Sequence, residues 1–329
     1  MGDKVIGIDL GGTKIAAVLL DATTETVIRK EVTPTQGHEG DDAVLMRIAE
    51  AVRRICIDAD VSLADIRAVG VGLPATIDYD TGRTLLLPNI PGEWYGKPVL
   101  AILQAALGIP VWLINDARAF TLAEATLGAG RDASLVACFT LGTGIGGGIA
   151  LNGQLLLGQE GSAGEFGHHT IDYNGLPDGS GTPGALESFA SGPAIATMGI
   201  KAVMQGIDTI IGDLVNYDLN RVTPRIIMQA AEAGDAVAQN ILTQVGTYIG
   251  VGMANVVTLL NPHCIVIGGG VAQLGEWIMA PIWTALRRYN HTANLDRLRI
   301  LPAALGEDAG AIGAALWAYQ QQRKQSGEN

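Results

Sequence analysis

The chain has 329 residues, a net charge of −12 at pH 7 and an isoelectric point near 4.8. This length predicts one large domain or two of medium size. Binding to nucleic acid or to an anionic membrane needs clustered lysines and arginines. The basic residues here form only short pairs such as Arg53-Arg54, so we expect neither partner.

Several features predict a protein of a reducing compartment, and we expect it in the cytoplasm. The three cysteines, Cys56, Cys138 and Cys264, are far apart and are expected to be buried as small hydrophobic residues. The first residues lack the basic and apolar pattern of a signal peptide. Residues 236–275 carry no Asp, Glu, Lys or Arg, but polar residues interrupt them before the roughly 18 to 20 apolar residues of a membrane span. They predict a buried helix followed by a buried strand.

The chain opens with two apolar strands, residues 4–9 and 15–20, joined by a glycine turn. Adjacent glycines leave backbone N–H groups open to an anion, and a hydroxyl and an ammonium group follow them. The predicted phosphate-binding residues of this turn are Gly11, Gly12, Thr13 and Lys14. Asp9, at the end of the first strand, can hold a hydrated cation beside the phosphates.

Helices and strands then alternate. Residues 42–59 have the apolar spacing of a helix, residues 66–73 and 111–114 are predicted as short buried strands, and residues 117–127 as a helix. This alternation predicts an α/β fold. The sheets should be mixed, because the glycine turns join strands directly.

Asp116 is the strongest catalytic candidate, because it follows the apolar strand 111–114 at the edge where ligands of α/β proteins gather. A carboxylate there can accept the proton of a sugar hydroxyl that attacks a γ-phosphoryl group, and partial desolvation raises its basicity. The rival interpretation is a helix N-cap formed by Asn115 or Asp116, and the two roles can coexist.

The second half repeats the opening pattern. A strand at residues 135–139 leads into the turn 140–144 and, through further glycines, into another apolar run. Thr143 and Gly144 are the second predicted phosphate site, so that two turns would hold one nucleotide from both sides. Further helices are predicted at residues 186–205, 224–233, 236–260 and 309–321.

Two other glycine motifs have alternative interpretations. Gly142-x-Gly144-x-x-Gly147 matches the dinucleotide-binding fingerprint, which needs a helix directly after the glycines, whereas Asn152-Gly153 indicates a hairpin. The cluster Gly268-Gly269-Gly270 follows a strand at residues 264–267. It is either a tight turn or a surface on which an adenine or ribose lies flat.

An irregular glycine-rich segment at residues 158–184 carries the remaining polar candidates. Glu165, His168 and Glu187 lie in or beside it and offer two carboxylates and an imidazole. A polyol needs several converging donors and acceptors, which these groups supply. Surface residues without a role are the alternative.

Seven ordered motifs resemble the ROK family of bacterial sugar kinases and sugar-responsive repressors, within the superfamily of actin, hexokinase and heat-shock ATPases. The motifs are Asp9-Leu-Gly-Gly-Thr-Lys14, Gly72-Leu-Pro74, Asn89-x-Pro91-x-x-Trp94, Asn115-Asp116-Ala117, Leu141-Gly-Thr-Gly-Ile-Gly-Gly-Gly148, Glu165-x-Gly-His168 and Ile267-Gly-Gly-Gly270. The resemblance implies two related actin/hexokinase-like (ribonuclease H-like) α/β domains with mixed sheets flanking a central cleft. Their expected bounds are residues 1–117 with 309–329, and residues 118–308.

The resemblance also implies an activity, the ATP-dependent phosphorylation of a hexose 6-hydroxyl, with Asp116 as the base and glucose as the favoured acceptor. Sugar hydroxyls would contact Asn89, Asn115, Asp116, Glu165, His168 and Glu187. The ATP phosphates would lie on Gly11, Gly12, Thr13, Lys14, Thr143 and Gly144, with the adenosine near Gly269 and Gly270. Asp9 would orient Mg²⁺ through water. A homodimer or homotetramer is the expected assembly.

The chain departs from the zinc-containing members of the family at one place. Those members carry Cys-x-Cys-Gly-x-x-Gly-Cys-x-Glu where this chain has Asp178-Gly-Ser180-Gly-Thr-Pro-Gly-Ala185-Leu-Glu187. Serine and alanine cannot supply thiolate ligands, which leaves His168 with at most Asp178. We therefore predict no structural zinc and a loop held by packing and hydrogen bonds.

Alternatives stay open at two levels. The acceptor can be glucose, mannose, allose, fructose or an N-acetylhexosamine, because sugar epimers differ by the direction of one hydroxyl, and polyphosphate is an alternative donor. A different class is a sugar-sensing repressor. Family repressors carry a DNA-binding extension before the first turn, where this chain has only Met1-Gly2-Asp3, and its acidic charge disfavours DNA. A silent binding protein would be expected to lack the Asp116 carboxylate.

Overall fold

The computed structural model describes residues 3–328, so Met1 and Gly2 of the short segment ahead of the first strand, and Asn329, lie outside the described residues. The strands are β1 (Lys4–Leu10), β2 (Lys14–Asp21), β3 (Thr26–Pro34), β4 (Ile66–Leu73), β5 (Thr76–Asp78), β6 (Arg83–Leu86), β7 (Val111–Asn115), β8 (Leu135–Leu141), β9 (Ile145–Leu151), β10 (Gln154–Leu155), β11 (Cys264–Gly268) and β12 (Arg299–Pro302). The α-helices are α1 (Asp41–Asp58), α2 (Val99–Leu107), α3 (Asp116–Thr126), α4 (Leu186–Ala190), α5 (Gly192–Met204), α6 (Ile211–Leu214), α7 (Pro224–Glu232), α8 (Ala236–Leu260), α9 (Glu276–Tyr289) and α10 (Ala309–Ser326).

The first sheet has the strand order β3-β2-β1-β4-β7. The pairs β1/β2 and β2/β3 are antiparallel, and the pairs β1/β4 and β4/β7 are parallel. The sheet is mixed because the glycine turn joins β1 directly to β2, whereas the parallel strands need longer crossovers. Asp116 begins α3 directly after β7, at the carboxyl edge of the parallel strands.

One face of the first sheet lies directly against the backbone of α10. A Cβ placed on Gly7 of β1 would lie 1.8 Å from the Ala311 carbonyl oxygen, and one on Gly70 of β4 would lie 1.8 Å from the Ala314 carbonyl oxygen. Side chains alternate along a strand, so Ile6 and its neighbours point to the other face and form a core with α1 and α2. The glycines therefore set how closely α10 approaches the strand that ends near Asp9.

The second sheet has the strand order β10-β9-β8-β11-β12, with β8/β11 and β11/β12 parallel. The glycines after β8 lead into a strand, β9, and not into a helix, which excludes the dinucleotide-binding alternative. The predicted α/β class with mixed sheets is confirmed.

The predicted helix at residues 186–205 is wrong in one respect, because the chain forms two helices there. Ser191 is extended between α4 and α5, and its hydroxyl accepts a hydrogen bond from the Ala194 N–H at 3.4 Å. Pro193 occupies the first turn of α5. The apolar spacing continues across this break and so does not reveal it. Serine and proline are the residues that favour the start of a helix, and here they mark the start of a second one.

The long uncharged segment forms α8. By length and composition this helix is apolar enough to cross a membrane, yet 61% of its most apolar 18 residues are buried inside the protein. It packs against α9, α7 and α4. Such packing is typical of the core helix of a folded domain.

The described chain divides into two compact units. The first contains the chain up to Ser134, the segment Ile149–Ala163 and the chain from Ala303 onward. The second contains Leu135–Gly148 and Gly164–Pro302. These bounds differ from the predicted ones, chiefly because α3 packs with α10. A Cβ on Gly313 of α10 would lie 1.7 Å from the Ala119 carbonyl oxygen of α3.

Candidate active site

The first glycine turn, between β1 and β2, is exposed, and a hydrogen bond within the turn closes it. The Gly11 N–H donates to the Lys14 carbonyl oxygen at 2.9 Å, and Gly12 and Thr13 are exposed. The Lys14 ammonium group forms an ion pair with Glu307, just ahead of α10. The predicted phosphate turn is therefore open to a ligand, and a phosphate would compete with Glu307 for its lysine.

Thr35 holds this turn, although the sequence analysis did not single it out. Its buried hydroxyl donates to the Gly11 carbonyl oxygen at 2.7 Å, and its N–H donates to the Thr13 carbonyl oxygen at 2.9 Å. Arg47 in turn donates from Nη1 to the Thr35 carbonyl oxygen at 2.6 Å. Because the carbonyl oxygens of Gly11, Thr13 and Lys14 already accept hydrogen bonds, the exposed residues Gly12 and Thr13 can offer N–H donors, which suits an anion.

Asp9 lies beside this turn and against the start of α10. A Cβ on Gly310 would come within 2.5 Å of its Oδ2 atom. Burial, together with the charge of Asp116, raises the pKa of Asp9 to about 7, against an opposing effect of Lys14. Two carboxylates that repel each other beside an anion-binding turn supply the oxygen ligands that Mg²⁺ prefers. The residues present therefore fit the predicted magnesium site.

The cap of α3 is Asn115, whose Oδ1 accepts hydrogen bonds from the N–H groups of Ala117 at 3.0 Å and Arg118 at 3.2 Å. Its Nδ2 donates to the Ala75 carbonyl oxygen at 3.3 Å. Asp116 is the first residue of the helix, and its Oδ1 accepts from the Ala117 N–H at 2.8 Å. The capping role thus falls to Asn115, and a sugar would compete with these bonds for its amide. The Asp116 carboxylate lies at the positive end of the α3 dipole.

Tyr79 and Asn89 lie near the cap of α3 and the first glycine turn, respectively. The Tyr79 hydroxyl accepts a hydrogen bond from the Asn115 N–H at 3.3 Å, and its ring packs on Gly161, where a Cβ would lie 2.2 Å from Cε2. Asn89 is exposed, and its backbone carbonyl oxygen would lie 3.4 Å from a Cβ on Gly12. The structure therefore places Asn89 beside the first turn. Sequence reasoning missed Tyr79, because a lone aromatic residue after a short strand carries no site signal.

Glu124 on α3 is a second residue that the sequence did not reveal. Its carboxylate is fully buried and accepts hydrogen bonds from the N–H groups of Ala129 at 2.9 Å, Ala304 at 3.0 Å and Leu305 at 2.9 Å. These bonds fasten α3 to the segment that leads into α10 and so help to position the helix that begins with Asp116. A glutamate in a helical pattern normally predicts an exposed face, which hid this role.

The second glycine turn, between β8 and β9, is held by a carboxylate. Glu187 accepts a hydrogen bond at Oε2 from the Ile145 N–H at 2.7 Å, and a Cβ on Gly144 would lie 2.5 Å from the same oxygen. The Gly142 carbonyl oxygen accepts from the Gly192 N–H at 2.8 Å. Glu187, predicted to bind a sugar, therefore also contacts the predicted phosphate turn, and a side chain at position 144 would require its carboxylate to shift.

Other predicted nucleotide contacts of the second unit lie at the ends of β8 and β11. Thr143 is exposed at the turn, and Gly269 packs closely against β8, where a Cβ would lie 2.3 Å from the Leu141 carbonyl oxygen. Gly269 also has a φ of +90°, which favours glycine. Gly270 is exposed and has open space on its Cβ side. Gly269 is thus explained by packing, whereas Gly270 leaves an open backbone surface.

His168 lies among three carboxylates. Its Nδ1 is 2.6 Å from Asp178 Oδ2, and its Nε2 is 4.0 Å from Glu165 Oε2. One potential ligand atom from each of His168, Asp178 and Glu187 lies within 4.8 Å of the others, a grouping that can hold a metal ion. The donor set does not fit the family's cysteine-rich zinc site. The cysteines Cys56, Cys138 and Cys264 lie apart from this site, buried in α1, β8 and β11.

Comparison with known proteins places these features in a family. The family model described as "ROK family" matches residues 5–321. A glucokinase of Halalkalibacterium halodurans is 35% identical over 98% of this chain and 97% of the relative. A xylose repressor of Caldicellulosiruptor bescii is 30% identical over 94% of this chain and 76% of the repressor.

A solved structure shares the fold. It is a ROK family glucokinase from Streptomyces griseus in complex with glucose and AMPPNP, and it is 31% identical to this chain. The match has a TM-score of 0.80 and covers 96% of this chain and 99% of that structure. With nearly the whole chain matched in sequence and in fold, this protein belongs to the ROK family.

Proposed function

We propose that this chain is an ATP-dependent hexose kinase that transfers the γ-phosphoryl group of ATP to the 6-hydroxyl of a sugar, with glucose as the favoured acceptor. Its similarity to a glucokinase at 35% identity supports this proposal. So does its similarity to a glucokinase structure in complex with glucose and AMPPNP.

The observation that carries the proposal is the arrangement in the first unit. An open glycine turn with inward-held carbonyl groups lies in the same unit as two neighbouring carboxylates, Asp9 and Asp116. Phosphoryl transfer needs N–H donors for phosphate, oxygen ligands for a divalent cation and a base for the attacking hydroxyl. This unit contains a candidate for each requirement.

In the proposed mechanism Asp116 accepts the proton of the 6-hydroxyl as that oxygen attacks the γ-phosphorus and the bond to the bridging oxygen of ADP breaks. The first glycine turn holds phosphate through its N–H groups, and Asp9 holds the hydrated cation. When bound, Mg²⁺ neutralises phosphate charge. Because phosphoryl transfer depends mainly on positioning and electrostatics, these residues contribute through where they hold charge.

A coupled ADP-release assay tests the proposal. ATP and Mg²⁺ are supplied with glucose, mannose, allose, fructose, N-acetylglucosamine or N-acetylmannosamine, and a parallel series replaces ATP with polyphosphate. We expect the largest kcat/KM with glucose and ATP. Absence of turnover with every sugar and both donors would refute a kinase.

The similarity to a xylose repressor favours one other candidate, a sugar-sensing protein without turnover. Calorimetric titration with the same sugars distinguishes the two functions. Sugar binding without ADP release would support the sensor. Binding together with ADP release supports the kinase.

A further inference from the structure

The Asp178 side chain organises the loop that carries His168. It is only 1% exposed. Its Oδ1 accepts hydrogen bonds from the Ser180 N–H at 2.9 Å, the Ser180 hydroxyl at 2.6 Å and the Thr182 N–H at 3.0 Å. Its Oδ2 bonds to His168 Nδ1 at 2.6 Å. One oxygen therefore closes the turn 178–182, and the other holds the imidazole ring.

The charge of Asp178 decides which atom of His168 carries the proton. Burial alone would raise the pKa of Asp178, but the hydrogen bonds from Ser180, His168 and Thr182 outweigh it and lower the pKa to about 2. A carboxylate can only accept hydrogen bonds, so His168 must donate from Nδ1. Although burial opposes it, the carboxylates of Asp178, Glu187 and Glu165 raise the pKa of His168, so the ring is neutral above that raised pKa. In the neutral ring the lone pair lies on Nε2, the atom on the side of Glu165.

The same positions hold the cysteine ligands in the zinc-containing members of the family, and here they offer no thiolate. Asp178 and Ser180 stand where those members have the first two cysteines, and Ala185, which is fully buried, stands where they have the third. His168 Nδ1 is also taken, because it donates to the Asp178 carboxylate. The loop is closed instead by the hydrogen bonds of one carboxylate.

We propose that Asp178 is a positioning residue that takes the place of the metal. It closes the turn 178–182 and fixes the ring of His168 with Nε2 as the acceptor presented to a sugar hydroxyl. The part of this proposal that concerns the sugar rests on the proposed kinase function. The part that concerns the loop and the ring does not.

The variant Asp178→Asn separates these roles. The amide oxygen can keep the bonds from Ser180 and Thr182, while the amide nitrogen, a donor, faces His168 and forces its proton onto Nε2. Asp178→Ala removes both roles. Asp172→Asn is the matched control, because Asp172 is exposed in the same loop and its Oδ1 accepts only a turn bond, from the Asn174 N–H at 3.0 Å.

We expect nitrogen NMR of the ¹⁵N-histidine-labelled protein, assigned with His168→Gln and recorded at a pH above the raised pKa of His168, to show the Nδ1–H form in the wild type and in Asp172→Asn. Asp178→Asn should show the Nε2–H form. Its sugar KM should rise about tenfold with kcat and the ATP KM little changed, because one hydrogen bond is reversed. If Asp178 only closed the loop, Asp178→Asn would change neither the tautomer of His168 nor, selectively, the sugar KM.

Metal analysis completes the test. The purified wild-type protein should hold far less than one transition-metal ion per chain, and its melting temperature should not change with 1,10-phenanthroline. A stoichiometric metal lost to the chelator would overturn the proposal, as would an unchanged His168 tautomer in Asp178→Asn. If the wild type phosphorylates no sugar, the kinase fails, while the tautomer and the metal content still decide the role of Asp178.

Discussion

The two glycine turns have the same strand-turn-strand design but are held by different chemistry. The first is held by the neutral hydroxyl and N–H of Thr35. The nearby carboxylate of Asp9 takes no part in these hydrogen bonds. The second is held by the carboxylate of Glu187, at the Ile145 N–H. In the first unit, acidic groups are therefore available for a cation and a proton, whereas in the second unit an acidic group is part of the turn's own support.

The largest expected effect concerns Asp116, the proposed base, whose carboxylate is not among the groups described as holding either glycine turn. Asp116→Asn should lower kcat by about 10² to 10⁴, because the base for the hydroxyl is lost while the amide keeps the size and shape of the side chain. Affinities for ATP and sugar, measured by calorimetry, should stay within about threefold of the wild type. Asp65→Asn, on an exposed surface, is the control. A near-normal kcat would contradict Asp116 as the base.

The next effect tests whether the second turn depends on Glu187. Glu187→Ala leaves the Ile145 N–H without its acceptor, so the KM values for sugar and for ATP should both rise, by about 10- to 100-fold. Glu187→Gln keeps an acceptor oxygen and should affect mainly the sugar KM. Steady-state kinetics with each substrate varied separately measure both, with Glu232→Gln as a surface control. If only the sugar KM changed in Glu187→Ala, the turn would not need this carboxylate.

The pH dependence of cation binding tests the first unit. The pKa of Asp9 is raised to about 7, so a proton competes with Mg²⁺ below that pH. The apparent dissociation constant for Mg²⁺ should rise about tenfold for each pH unit below 7 and level off above it. The folding stability of the metal-free protein should fall as the pH rises from about 4 through 7, because ionising Asp9 costs more in the folded state than in the unfolded one.

Titration of Mg²⁺ by calorimetry at several pH values measures the first effect, and thermal unfolding with and without Mg²⁺ measures the second. In Asp9→Asn this titratable group is absent, so both pH dependences should flatten and Mg²⁺ affinity should fall. A wild-type Mg²⁺ affinity that does not change between pH 6 and 8 would exclude Asp9 as the group that binds the cation.

The smallest effect concerns Thr35, whose uncharged hydroxyl and N–H hold the first turn. Thr35→Val keeps the volume and the N–H bond to Thr13 but removes the donor to the Gly11 carbonyl oxygen. We expect a loss of about 1–3 kcal/mol in the free energy of unfolding. The ATP KM should rise several-fold while the sugar KM stays unchanged. Denaturant unfolding and steady-state kinetics measure these effects, with Thr33→Val, near the end of the preceding strand β3, as the control. A parallel rise of both KM values would mean that the two turns are not supported independently.

The sequence by itself determined the features that depend on neighbouring residues. The two glycine turns, the carboxylates at the ends of their strands and the missing loop cysteines are all local patterns. Together they established the α/β class and the family resemblance, because a strand followed by a glycine turn has few possible geometries. Local pattern also failed at Ser191, where one predicted helix is two.

Only the tertiary structure decided what holds these features in place. Thr35 and Gly11 are 24 residues apart, and Glu187 and Ile145 are 42 apart. No periodicity marks such pairs, since each forms only when separate elements pack together. The same reason hid the buried carboxylate of Glu124 and the hydrogen bonds of Asp178, because an acidic side chain in a helix or loop has the same local pattern whether it faces water or several backbone N–H groups.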